Sequence, residues 1–163
     1  MRIRVEPPNR NQGAMNMQRT TTAIARMLLG LIFFVFGLNG FLRLFPQPAM
    51  EGRAGEFIGG LLAAGYVFPL LFGIYTIAGA ALLAGRFVPL ALILLAPVIV
   101  NIVALHAFLA PSGLPLAMFV LGLEAFLAWS YRESFGPLLR ANGEVTRAAS
   151  TPARRTSVGQ QAL

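Results

Sequence analysis

Four long apolar stretches, separated by short polar or proline- and glycine-containing segments, dominate the middle of the chain. Each is long enough to form a helix that crosses the roughly 30 Å hydrocarbon core of a bilayer, which takes about 20 apolar residues. We therefore predict an all-α membrane protein, a bundle of four transmembrane helices. The predicted spans cover residues 24–45, 66–84, 88–109 and 115–131.

The first span follows a basic, polar segment, residues 1–22, which we predict to be a disordered tail. A basic segment before an apolar one is also typical of a cleaved secretory signal peptide, which needs small residues at its cleavage site. Bulky residues end this run instead, from Phe41 to Phe45, so we expect an uncleaved helix. The four-helix domain is predicted to cover residues 23–136, and residues 137–163 are predicted to be a second disordered tail.

The second apolar stretch, residues 57–85, contains no charge and is too long for one span. A single helix of that length would measure about 43 Å, against a hydrocarbon core of about 30 Å. We predict that it divides into a short helix at the membrane interface, residues 56–64, and a spanning helix, residues 66–84. Pro69 then lies in the first turn of the span, where its missing N–H is not needed.

The composition excludes an ordinary soluble globular domain. Hydrophobic residues make up 56% of the 163 residues and charged residues 12%, whereas soluble domains are about 25% charged. A chain with this many hydrophobic residues does not have enough polar surface to cover its apolar side chains in water. The absence of cysteine excludes structural disulfides and thiol–disulfide chemistry.

The 13 basic residues, all arginine, are distributed as in a membrane protein. The segments before the first span and after the last carry most of them, the second loop carries Arg86, and the first loop carries Arg43 and Arg53. The positive-inside rule then places both termini in the cytoplasm, and the lysine-free composition suggests a bacterial inner membrane. Because the arginines lie in tails and at span ends, we expect the lipid bilayer as a partner and no nucleic acid.

Polar side chains within the spans are the candidates for chemistry, since each costs free energy there and must be paired or hydrated. We estimate the depth of these residues at 1.5 Å per residue from the outer helix ends. The two asparagines, His106 and Glu124 then lie in the outer half of the membrane or near its midplane. A shared pocket open to the periplasm is therefore possible. Asn101 and His106 are about 140° apart around their helix, so they do not both face one seam. The candidate intramembrane polar site comprises Glu124, His106, Asn101, Asn39 and Tyr75.

Glu124 is the only charged residue in the fourth predicted span, and no arginine lies at its depth. We expect it to be protonated or hydrogen-bonded to Asn101, His106 or Tyr75. Such an acid either handles protons or binds a ligand, or it forms an interhelical hydrogen bond that only supports packing.

His106 has similar alternatives: a proton relay, a hydrogen bond to quinone, a metal ligand, or a histidine at headgroup level that caps a helix or forms another hydrogen bond. A metal or haem site within one chain needs more ligands than a single histidine supplies, so no metal site is predicted. The asparagines are more typical of packing hydrogen bonds than of a site.

Small residues predict close contact between the first two spans. Gly30 and Gly37 share one face of the first helix, and Ala80 and Ala84 lie in the second, a spacing that lets helix backbones approach in membranes. We interpret this pattern as packing and not as a binding site.

Three segments carry a family resemblance. They are residues 26–41 (RMLLGLIFFVFGLNGF), 77–91 (IAGAALLAGRFVPLA) and 96–111 (APVIVNIVALHAFLAP). Across residues 23–136 the chain resembles the DoxX-like family of small bacterial four-helix membrane proteins. The resemblance implies a four-helix bundle associated with respiratory or redox membrane proteins, since the family takes its name from a subunit of a thiosulfate- or quinol-linked oxidoreductase.

That resemblance implies an accessory subunit of a quinone-linked complex, with quinone as the cofactor and with no enzyme activity of the chain alone. Family members often carry glutamate where this chain has Tyr75, so Glu124 is the acid available to replace it. The alternatives are a small transporter or lipid-binding module that uses Glu124 as a proton-sensitive ligand, or a purely structural assembly protein.

Overall fold

The computed structural model describes residues 10–46 and 49–139, and over these ranges the chain is helical without any strand. A short 3-10 helix, Pro111–Gly113, joins the fourth and fifth α-helices. The α-helices are α1 (Arg10–Leu42), α2 (Gly52–Ala63), α3 (Val67–Ala84), α4 (Val88–Phe108), α5 (Leu114–Ser130) and α6 (Arg132–Leu139).

Four of these helices are long and apolar enough to cross a membrane, which indicates a multi-pass membrane protein and confirms the predicted all-α fold with four spans. The candidate spans are Met15–Leu42, Val67–Ala84, Val88–Phe108 and Pro111–Ser130. Helix α1 packs most extensively on α3, α4 packs on both α3 and α5, and α5 closes the bundle against α1.

The bundle has two ends. At the first, which we call the Arg86 end, α3 turns into α4 and α5 finishes close to the N-terminal part of α1. At the second, the Pro111 end, α4 turns into α5 and α1 finishes.

The helix boundaries differ from the prediction in four places. Helix α1 ends at Leu42, before the predicted residue 45. Helix α1 begins at Arg10, so residues 10–22 are helical and not the predicted disordered tail. A helix already nucleated by its apolar span extends through polar residues at little cost. Helix α2 begins at Gly52, upstream of the predicted residue 56, and α6 continues to Leu139. The rest of the two predicted tails, residues 1–9 and 140–163, lies outside the described residues.

Glycines set the close contact between α1 and α3. A Cβ atom on Gly79 would lie 2.5 Å from the backbone nitrogen of Phe34, and one on Gly37 would lie 2.6 Å from that of Thr76. Gly30 likewise has no room for a side chain, so the predicted role of Gly30 and Gly37 is confirmed. The prediction was wrong about α3, because Ala80 and Ala84 are exposed and Gly79 provides the small surface.

The core draws on all four spanning helices. The largest side chains with essentially no exposure are Leu29, Leu82, Leu92, Leu95, Ile99 and Leu127. The outward surfaces are equally apolar: Ile77 is 68% exposed and Val100 is 61% exposed. Because lipid tails solvate apolar side chains, such surfaces are stable in a bilayer.

Arg26 connects α1 to the end of α3. Its Nη1 donates a hydrogen bond of 2.7 Å to the carbonyl oxygen of Leu82, in the last turn of α3. The same oxygen accepts a second hydrogen bond, of 3.1 Å, from the backbone N–H of Gly85. Helix α3 then ends at Gly85 with a φ of 67°, a left-handed conformation that favours glycine. A side chain on Gly85 would also overlap the Arg26 guanidinium.

Candidate functional site

Asn39 is buried, and its amide closes the turn that follows α1. Its Nδ2 donates to the carbonyl oxygen of Phe45 at 3.1 Å, and the backbone N–H of Phe45 donates to its Oδ1 at 2.8 Å. The chain can turn back in this way because Arg43 adopts a φ of 52°. The nitrogen and the oxygen of the amide are thus both hydrogen-bonded to the backbone. This corresponds to the packing role considered for the asparagines.

Replacing Asn39 with leucine should lower the stability of the protein. The change removes two hydrogen bonds to the N–H and carbonyl of Phe45, and each hydrogen bond contributes about 0.5–1.5 kcal/mol to stability. Thermal unfolding in mild detergent measures the loss. Asn101→Leu is the matched control, because Asn101 is exposed and its substitution should leave the transition in place. Equal transitions for the two variants would contradict the role of the turn.

His106 lies in the last turn of α4, at the Pro111 end. Its Nδ1 is 3.0 Å from the carbonyl oxygen of Ala110. Since a carbonyl only accepts, Nδ1 carries the proton in this hydrogen bond. The ring also fills the space beside Gly113, where a Cβ atom would overlap it. His106 therefore holds the turn that follows its own helix through the carbonyl of Ala110.

Asn101 is exposed on the outer surface of α4. It shares that face with Leu90, Leu94, Pro97 and Phe108, all of which are exposed, as the helical spacing predicts for Pro97 and Phe108. In a bilayer this face contacts lipid tails or a neighbouring protein.

Glu124 faces the interior of the bundle and is only 6% exposed. It shares the buried face of α5 with Ala117, Val120 and Leu127. Its Oε2 is fully enclosed and has no hydrogen-bond partner among the described residues, so this atom makes none of the expected bonds to Asn101, His106 or Tyr75. At 1.5 Å per residue, Glu124 lies about 9 Å from Ser130 and about 15 Å from Leu114, deep in the span.

Tyr75 lies in the middle of α3 and packs against the core. Its ring meets that of Phe33 edge-on, with the ring centroids 5.2 Å apart. Phe72 lies one turn away on the same helix, with its ring centroid 6.4 Å from that of Tyr75. The aromatic body of Tyr75 thus helps to hold α1 against α3.

The five candidates do not converge on one pocket. Asn39 and His106 bond to backbone at the Pro111 end, Asn101 faces outward, and Glu124 and Tyr75 face the interior. Two surface cavities lie instead beside α1 at the Arg86 end. Among residues 10–46 and 49–139, no group of three or more potential metal ligands lies together.

No family model matches the chain. The search of curated proteins and the search of solved structures also find no match. The resemblance to the DoxX-like family therefore depends on the three sequence segments alone, and the function has to be argued from the geometry of the bundle.

Proposed function

We propose that this protein is an accessory subunit of a quinone-linked redox complex in a bacterial inner membrane. The DoxX-like segments, residues 26–41, 77–91 and 96–111, support the redox assignment. The arginine distribution supports a topology in which the Arg86 end and both termini are cytoplasmic and the Pro111 end is periplasmic. Helix α2 then lies along the periplasmic interface.

The observation that carries this proposal is the outward position of Asn101. Along α4 it lies about 10 Å from Phe108 and about 20 Å from Val88, well within the hydrocarbon core. An amide without a hydrogen-bond partner there is costly. A hydrogen bond to a neighbouring helix removes that cost and contributes about 0.6–2 kcal/mol to association.

Pro97 adds a second polar group to the same face. It lacks an N–H, so the carbonyl of Ile93 loses its usual helical donor and remains free to accept a hydrogen bond. Both Ile93 and Pro97 are exposed, and they lie about two turns and one turn from Asn101. The outer face of α4 thus offers an amide and a carbonyl to a partner helix, surrounded by apolar side chains.

Site-specific cross-linking in native membranes tests the proposal. A photoreactive residue in place of Leu94, which lies on the same face of α4 as Asn101, should cross-link to a subunit of a quinone oxidoreductase. The same residue in place of Ile77, which is exposed on α3, is the matched control and should not. Asn101→Leu should lower the Leu94 cross-link yield severalfold. A product consisting only of a second copy of this chain, or no product, would overturn the proposal.

The quinone itself belongs, in this proposal, to the assembled complex. Because Asn101, His106 and Glu124 lie on separate surfaces, they do not form a quinone pocket within the bundle. The isolated chain in mild detergent should therefore retain no quinone, whereas the complex purified through it should. Quinone bound stoichiometrically to the isolated chain would contradict this assignment.

Glu124 favours a second candidate function, a small transporter that uses a proton-sensitive acid. Its Oε2 is enclosed in the bundle and has no hydrogen-bond partner in the part of the chain that the structure describes, which is typical of carboxyl groups on proton or ligand pathways in membranes. The Glu124 variants treated in the Discussion distinguish this function from that of an accessory subunit.

A further inference from the structure

A polar cavity of about 390 Å³ lies between the N-terminal part of α1 and the end of α5. Two guanidinium groups, an amide and hydroxyl groups contribute to its wall. The polar side chains that line it are Gln18, Arg19, Thr22, Arg26, Ser130 and Tyr131. The Ser130 hydroxyl already donates to the carbonyl oxygen of Phe126 at 2.8 Å, so the two arginines are the main donors. They suit an anion, since arginine binds phosphate and carboxylate through paired N–H groups.

The two arginines follow one face of α1 because they are seven residues apart, close to two helical turns. Arg26 immediately precedes the uncharged core of the span, so it lies at the edge of the hydrocarbon, and Arg19 lies about 10 Å further out. This is the depth of lipid headgroups. The bond from Arg26 to the Leu82 carbonyl orients its guanidinium without neutralising its charge.

A second, apolar groove of about 650 Å³ runs along the other side of α1, towards α3. It shares Arg19 and Ala23 with the polar cavity. Its other walls are mainly apolar and come from Ile24, Met27, Leu28, Leu31 and Leu83. A charged pocket at headgroup depth therefore continues into a groove that an acyl chain can fill.

We propose that this paired groove is a binding site for an anionic phospholipid such as phosphatidylglycerol. Its phosphate lies between Arg19 and Arg26, and one acyl chain lies against Leu28 and Leu31. Basic pockets between transmembrane helices on the cytoplasmic side are suited to acidic headgroups. A zwitterionic lipid is disfavoured because its ammonium group would face the same arginines. The site is separate from the α4 face and does not depend on the proposed redox function.

Native mass spectrometry of the full chain, titrated with phosphatidylglycerol or phosphatidylcholine in detergent, tests the site. Phosphatidylglycerol should bind more tightly, and Arg19→Gln should weaken its binding about fivefold, the effect of losing one interfacial arginine. Arg86→Gln removes the same charge from the same end but outside both grooves, and it should change nothing. Both residues are exposed, so neither variant should disturb folding.

Two further measurements distinguish the binding of a lipid from the binding of a free anion. Glycerol 3-phosphate offers the phosphate without acyl chains and should not bind where phosphatidylglycerol saturates. Ala23→Trp fills both grooves without changing the charge and should also weaken lipid binding, whereas Ala107→Trp, exposed on α4, should not. Equal affinity for the two lipids, an equal loss with Arg86→Gln, or tight binding of glycerol 3-phosphate would overturn the proposal.

Discussion

Alanine in place of Gly79 is expected to destabilise the bundle strongly. The added Cβ would meet the backbone nitrogen of Phe34 at 2.5 Å, its Cα at 2.8 Å and the carbonyl oxygen of Gly30 at 2.9 Å. Backbone atoms cannot rotate away as a side chain does, so α1 and α3 would have to separate along their largest interface. Overpacking costs typically 1–3 kcal/mol, and we expect a loss of about 3 kcal/mol.

The measurement is the midpoint of unfolding in mixed micelles with increasing sodium dodecyl sulfate. Gly73→Ala is the matched control because it adds the same methyl group to the same helix, at a position with no atom within 4 Å. It should leave the midpoint unchanged or raise it, since alanine is favoured over glycine in a helix by about 1 kcal/mol. Similar midpoints for the two variants would show that α1 and α3 do not depend on close backbone contact.

Leucine in place of Glu124 is expected to stabilise the protein. The variant keeps the approximate volume of the side chain and removes a buried oxygen that has no partner. Leaving such a group unsatisfied costs about 1–3 kcal/mol, so a gain of that size should follow. Glu124→Gln retains a polar group at the same place and should give a smaller change. A Glu124→Leu variant less stable than the parent would show that the carboxyl group has a stabilising partner.

The same two variants separate the proposed functions. If the chain is a transporter that uses Glu124 as its proton-sensitive acid, both variants should remain folded. Both should nevertheless lose proton-coupled uptake of the substrate into proteoliposomes. If the chain is an accessory subunit that docks through α4, both variants should retain the Leu94 cross-link. Unchanged uptake in both variants, with only the stability altered, would therefore exclude the transporter and leave the accessory subunit standing.

The four spans could be predicted because a bilayer strongly restricts the conformation of the backbone. Every backbone N–H and carbonyl within the hydrocarbon must be bonded inside its own segment, so a sufficiently long apolar run forms a helix. The helix ends are different, because no such constraint acts in the interfacial and aqueous layers. Residues 10–22 show no apolar period, yet they continue α1 because that helix already exists beside them.

The candidate site was harder to predict than the spans. Apolar residues surround each spanning helix on all sides, so hydrophobic periodicity only weakly marks the face that points inward. The outward position of Asn101 and the inward position of Glu124 follow from the packing of four helices together. The partner of Asn39 depended on a turn with a left-handed residue at Arg43. Arg19 and Arg26 were interpreted only as topology signals, although their spacing on one helix face already pointed to a paired basic site.

The turn closed by Asn39 has a consequence for biosynthesis. Its partner atoms both belong to Phe45, six residues further along the chain. The first span therefore carries the acceptor and donor for its own buried amide as it leaves the ribosome, and it can enter the lipid before any other helix exists. The Oε2 of Glu124 has no such partner among residues 10–46 and 49–139, and Glu124 lies in the fourth of the candidate spans in chain order. When this span is made, three helices are already present and can enclose its carboxyl group. The acid therefore does not have to enter the lipid on a single unpacked helix.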